Sequence, residues 1–217
     1  MKFFKNIHVI RTLSLFGIIG AVFYFAHVIF GRIFYEGYNP FSQAISDLTA
    51  ISSPSRNIAS FFSFLYGIFT VIFSISFLLY FKSKINKIAA LGALFFCVMN
   101  LVSFLGYMFF PLTESGFANT FQDKMHMVVT VLVVLFTVIA IIFYSIGFLK
   151  TSNYKYMGII SLCTFAALLI GVILINNLPK EYFGIAERIN VYSIIIFTGI
   201  LSLWMFNFIR IRMMDKK

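Results

Sequence analysis

Acidic side chains are scarce in this chain. Its 217 residues hold seven Asp and Glu against 17 Lys and Arg, and charged residues make up only 11%. Soluble domains carry about 25% charged residues, so an ordinary water-exposed surface is excluded. Cysteine is nearly as rare. Cys97 and Cys163 stand far apart, without metal-ligand spacing or the density of a disulfide framework. Both fall inside apolar runs and read as small buried apolar residues, silent about redox compartment. The four prolines, Pro40, Pro54, Pro111 and Pro179, lie at the margins of apolar runs. No ten-residue stretch alternates with period two, which leaves a membrane β-barrel without support. No convincing internal repeat is present, although six helices would permit an inverted three-plus-three arrangement.

What the chain has in abundance is apolar surface. Hydrophobic residues make up 61%, 30 of them Phe, and the mean hydropathy is +0.97. About 20 apolar residues suffice to cross a hydrocarbon core of roughly 30 Å. Six runs meet that length, at about 12–31, 57–81, 88–110, 125–149, 156–177 and 189–209. In lipid each backbone polar group must be satisfied within its own segment, so these runs are helices. Lys2, Lys5 and Arg11 precede the first run as they would in a signal peptide. The run is longer than a signal core, however, and no small-x-small cleavage site follows, so it reads as an uncleaved first helix.

The expected fold is therefore an all-α polytopic membrane protein, one integral domain over residues 1–217 with six transmembrane helices. Most basic residues sit on one side: Lys2, Lys5, Arg11, Lys82, Lys84, Lys87, Lys150, Lys155, Arg210, Arg212, Lys216 and Lys217. Arg32, Arg56, Lys124, Lys180 and Arg188 sit on the other. The positive-inside rule then puts both termini in the cytoplasm of a cell membrane. The net charge of +10 needs no nucleic acid, because a basic rim facing anionic lipid accounts for it. Membrane lipids are the expected partners.

The acids collect on the opposite, outer side. Glu36, Asp47, Glu114, Asp123, Glu181 and Glu187 all lie there, and only Asp215 lies inside. His27 and His126 are near the same side, whereas His8 belongs to the cytoplasmic tail. Between the first two spans runs GYNPFSQAISDLTAISSPSRN, residues 37–57, far longer than a connector requires. Asn39-Pro40 reads as a helix start. Phe41, Ala44, Ile45 and Leu48 then form an apolar stripe at helical spacing, opposite Gln43, Ser46 and Asp47. The spacing predicts a short amphipathic helix of about ten residues, and Ser53-Pro54 repeats the start signal for the second span. One reading wets its polar face at the interface. The other turns Ser46 and Asp47 inward, over the bundle, with the stripe in lipid.

Asp123 and His126 share a helix face at i, i+3, with Thr130 one turn deeper. They are candidates for base and orienter, or for a divalent metal site with Asp47, although the sequence requires no cofactor. Equally, Asp123 could cap its helix and His126 could bond a neighbouring helix. Glu114, in the loop after Phe110-Pro111, is a further candidate orienter; Glu114-Ser115-Gly116 is not the Gly-x-Ser-x-Gly of a nucleophile elbow. Glu187 and Arg188 open the last span, where the acid suits a helix N-terminus. Arg188, with Arg32 and Arg56, could instead fork a headgroup phosphate, with Ser46 and Glu187 nearby as binding groups. Asn100, Ser103, Asn176 and Asn177 are expected to join helices. Gly17 to Ala21 and Ala89 to Ala93 mark close-packing seams. A ladder of acids crossing the membrane, as a proton pathway would favour, is absent.

Gly37-Tyr38-Asn39-Pro40, Ile45-Ser46-Asp47-Leu48, Phe110-Pro111, His126 and Glu187-Arg188 together resemble a bacterial and archaeal six-helix membrane family, domain of unknown function 998. The resemblance spans about residues 10–210; Thr49 stands where the family usually has Gly after Ser-Asp-Leu. Ile45-Ser46-Asp47, Pro54 and His126 are also distantly similar to the Frag1/DRAM/Sfk1 proteins, a likeness that implies lipid handling. Three functions follow as expectations. A lipid-handling protein or membrane-embedded hydrolase would centre on Asp47 and His126. A non-catalytic scaffold or sensor, or a small transporter, would use the same outer face.

Overall fold

The computed structural model describes residues 6–214, and every described element is helical. Lys2, Lys5, Asp215, Lys216 and Lys217, which enter the charge argument above, lie outside the described residues. The helices are α1 (Ile7–Ser14), α2 (Phe16–Ile33), α3 (Arg56–Phe81), α4 (Lys87–Phe109), α5 (Phe121–Leu149), α6 (Lys155–Asn177) and α7 (Phe183–Met214). Because α1 and α2 form one span, six segments of 23 to 35 residues are long and apolar enough to cross a membrane. Several run past the apolar stretch that marks them in the sequence. Hydropathy locates the lipid-embedded part, whereas backbone hydrogen bonding continues through polar turns at the ends. Thus α5 starts at Phe121, with Asp123 and Lys124 in its first turn.

Each span packs against the next in sequence, and α7 returns against α2 to close a ring. The seams use the expected small residues. A Cβ on Gly17 would lie 2.7 Å from the Ser202 Cβ, one on Gly20 2.7 Å from Thr70, and one on Gly147 would strike the Ala89 backbone. Lipid tails are as apolar as the side chains, so close packing rather than a hydrophobic drive holds such a bundle together.

The break at Leu15 has a specific cause. The Ser202 hydroxyl donates to the Ser14 carbonyl and accepts from the Ile18 amide at 3.0 Å, so it stands in for one helical bond. A side chain inserted into the ladder in this way bends the helix.

Polarity divides the ring along its length. Toward the end that carries the chain termini, Phe77, Phe81, Tyr144, Phe148, Phe197, Trp204 and Met205 form a buried aromatic core. Within the spans, hydroxyls of Ser76, Thr137, Ser145, Ser161 and Thr198 donate to carbonyls of their own helices. The asparagines behave the same way and do not join helices as expected. Asn100 donates to the Phe96 carbonyl, while Asn176 and Asn177, both exposed, donate to Val172 and Ile173. Cross-helix polar contacts at the end that carries the termini include those of Ser202 with Ser14 and Ile18 and of Asn86 with Gly147 and Thr151; a larger group gathers at the other end, where the long first loop lies.

Candidate functional site

The long first loop is ordered by its own side chains. Gly37 adopts a φ of 79°, the left-handed region that glycine enters without strain. Asn39 then closes a turn rather than capping an α-helix: its Oδ1 accepts from the Phe41 amide, and its carbonyl accepts from the Gln43 amide at 2.9 Å. The Gln43 side chain in turn accepts from the Asn39 amide. Such local bonds compete with helix formation. The helical part of the loop is consequently the single 3-10 turn Ile45–Thr49, shorter than the ten residues expected. Its apolar stripe meets protein and not lipid. Ile45 and Leu48 are buried, Leu48 against Gly31 of α2, and only Phe41 stays exposed.

Asp47 points into the molecule and is 3% exposed. Its two oxygens accept from the amides of Ala44 and Gly116, both at 3.1 Å. Gly116, at φ 83°, aims that amide across from the third loop. Two further backbone bonds join the loops, Ile51 to Leu112 at 2.8 Å and Ser52 to Thr113 at 3.1 Å. Ser46 is partly exposed beside Asp47. The loop is thus a lid fastened to its neighbours.

The last span supplies the second fastening. The Ile45 amide donates to Glu187 Oε2 at 2.8 Å. Arg188 reaches the other side of the lid, donating through Nη1 to the carbonyls of Gln43 and Gly184 and through Nη2 to the Tyr38 hydroxyl. The role expected for Arg188, a free fork for phosphate, is therefore taken by the protein itself. Arg32 and Arg56 do not join it; both are exposed at helix ends. Burial pushes the Tyr38 phenol up to about 12, although the Arg188 cation and hydrogen bond pull the other way.

Asp123 and His126 are both buried on α5, but they serve different partners. Asp123 accepts from the Thr113 amide and hydroxyl at 2.8 Å, and from the Thr120 amide, while Thr120 caps the helix. It is a capping and loop-tying acid. His126 Nδ1 bonds the Phe110 carbonyl at 2.8 Å, which makes Nδ1 the donor and leaves Nε2 as a lone-pair acceptor. Asp47 lies within electrostatic reach of His126 without a hydrogen bond to it among the described residues. Glu114 is exposed in the loop between Thr113 and Gly116. Among the described residues no three His, Cys, Asp or Glu side chains are placed to hold a metal ion. Asp47, Asp123 and His126 therefore do not form the ligand set considered from the sequence. His27 likewise bonds a backbone carbonyl, that of Ala59, at 2.9 Å.

Beneath the lid stands a group that residue-by-residue reading passed over: Tyr24, Tyr66, Tyr107 and Tyr192. The Tyr24 and Tyr66 rings meet edge to face at 4.9 Å, and Tyr107 lies 4.9 Å from His126. Tyr107 donates to Thr130 across α4 and α5. Glu187 is within electrostatic reach of Tyr24, Tyr107 and Tyr192. All four tyrosines and Glu187 are half-buried. Among the described residues the hydroxyls of Tyr24 and Tyr66 have no hydrogen-bond partner, and both side chains are half-buried. One signal was available. Tyr24, Tyr66 and Tyr192 each lie nine or ten residues in from the loop end of their helix, about 14 Å at 1.5 Å per residue.

The family model described as Protein of unknown function (DUF998) matches residues 18–204. That stretch contains the lid, Glu187, His126 and all four tyrosines. No curated protein and no solved structure matches the chain.

Proposed function

The chain belongs to the DUF998 family, and for this member we propose a lipid-handling role, in which the polar chamber under the lid receives the headgroup of a membrane lipid. One observation carries the reading. Five spans and the first loop bring buried and half-buried polar side chains together at a single end of the bundle. Tyr24 comes from α2, Tyr66 from α3, Tyr107 from α4, His126 from α5 and Glu187 from α7, with Asp47 in the roof. Polar and ionisable groups at membrane depth are costly and mark functional sites. With both termini in the cytoplasm, this end faces outward.

A hydrolytic role is the second reading, favoured by the His126 geometry. Its Nδ1 is anchored to a carbonyl, so Nε2 is free to take a proton from an attacking group. Asp47 would act on it only through the field, since both carboxylate oxygens already hold the lid.

The test is the lipid profile of a deletion strain complemented with wild type, Asp47→Asn or His126→Ala. We expect one lipid class to change on deletion and to return with wild type. His126→Ala should restore it in part if the chamber only binds, and not at all if His126 is a base. An unchanged profile on deletion removes lipid handling; full rescue by both variants moves the site elsewhere.

A further inference from the structure

We propose that the group received in this chamber is an ammonium cation, held between the Glu187 carboxylate and the faces of the tyrosine rings. The inference rests on the headgroup-binding reading and specifies its chemistry. The ammonium belongs either to a lipid headgroup or to a free organic amine, since both present the same group.

The charges lead to this assignment. Glu187 receives one backbone donor, the Ile45 amide, on Oε2. Its neighbour in sequence, Arg188, turns its guanidinium toward Tyr38, Gln43 and Gly184. Glu187 forms no ion pair among the described residues, and the fields of the Arg188 cation and the Asp47 carboxylate both reach it. A carboxylate in a half-buried setting gains most from a cation that has shed its water.

Aromatic faces are the other half of the argument. A ring carries negative charge on its face, and cations within about 6 Å of it are attracted, most strongly where water is excluded. Tyr24 and Tyr107 lie within electrostatic reach of Glu187, and Tyr24 presents its ring to Tyr66 at 72° so that the two faces turn different ways. Phenol hydroxyls of Tyr24 and Tyr66 and the free Nε2 of His126 add acceptors. An anion fits poorly in comparison. The nearest guanidinium is committed to the lid, and a phosphate would approach two carboxylates.

The experiment uses the full chain in nanodiscs of phosphatidylglycerol, which has no ammonium group. Calorimetry compares choline with 3,3-dimethylbutan-1-ol, its uncharged isostere. We expect choline to bind and the isostere to bind about tenfold more weakly or less, the scale of one desolvated cation–aromatic contact. Glu187→Gln keeps an acceptor for the Ile45 amide and should lose about tenfold in choline affinity. Tyr66→Leu should lose severalfold, and Glu36→Gln, an exposed acid at the same end, should bind as wild type.

Native mass spectrometry from mixed phosphatidylethanolamine and phosphatidylglycerol nanodiscs identifies the source. A retained phosphatidylethanolamine, lost in Glu187→Gln, assigns the cation to a lipid; choline binding without a retained lipid assigns it to a free amine. Equal binding of choline and its isostere, or a Glu187→Gln variant that binds as wild type, overturns the ammonium assignment. Retention of phosphatidylglycerol in its place also overturns it and leaves headgroup binding standing. Binding of neither lipid nor amine removes both.

Discussion

Tyr38 joins the lid to the last span through one hydroxyl, which accepts from Arg188 and donates to the Ala44 carbonyl at 2.7 Å. Ionising that hydroxyl removes the donor. With its folded value raised by burial to about 12 from an ordinary 10.0, the phenol stays neutral in the folded state after the unfolded chain has begun to ionise. The stabilisation is therefore complete below pH 10 and is lost as pH rises toward 12. Absorbance near 295 nm should lose one late-titrating tyrosine in Tyr38→Phe relative to wild type, with the loop end of wild type loosening over the same interval. A Tyr38 that titrates at its ordinary value would break the proposed tie. Residue identity alone suggested none of this. Asp123 was legible as a cap because Thr120 stands three residues before it, a local relation. Asp47 was legible only as a face of a loop, because its partner Gly116 is 69 residues away.

At the scale of elements, the six spans follow from run length, while their bends and lid depend on contacts distant in sequence. The α1–α2 break shows this. Ser14 and Gly17 near Leu15 are weak helix formers but do not place the break; the bonding group is Ser202, 188 residues beyond Ser14. Replacing Ser202 with Ala leaves the Ser14 carbonyl and Ile18 amide either unpaired in an apolar setting or rejoined by straightening the helix against Gly17. We expect a loss of about 1–3 kcal/mol, read as a lowered midpoint in thermal unfolding of the detergent-solubilised protein. Ser202→Thr, which keeps the hydroxyl, should lose less unless its methyl strikes Gly17. The lid makes the same point in reverse. Its apolar stripe was visible at helical spacing, but the Asn39–Gln43 turn used the first four residues, and a five-residue 3-10 turn remained.

Over the whole molecule the two ends differ in kind. Aromatic packing around Phe81, Phe148 and Trp204 closes the end that bears the termini, and the lid covers the other. An even number of spans returns both termini to one side, and the positive-inside rule applied to Lys and Arg predicts that side to be the cytoplasm. Reporter fusions at either terminus should read cytoplasmic, and a reporter inserted after Ala118 should read external. A terminus found outside would reverse the chamber's orientation while leaving its residues together.

By itself the sequence determined the solvent, the helical class, the number of spans and the end at which acids collect. Each of these depends on run length or on local composition, because a bilayer demands internally bonded apolar segments wherever they fall. Only the tertiary structure decided what the polar residues do. Arg188 became a strut, Asp123 a cap and Asp47 a roof tie, while Tyr24, Tyr107 and Tyr192 from separate spans came within electrostatic reach of Glu187. Those roles depend on directions and distances between helices, and a ring of six helices brings together residues that no window along the chain contains.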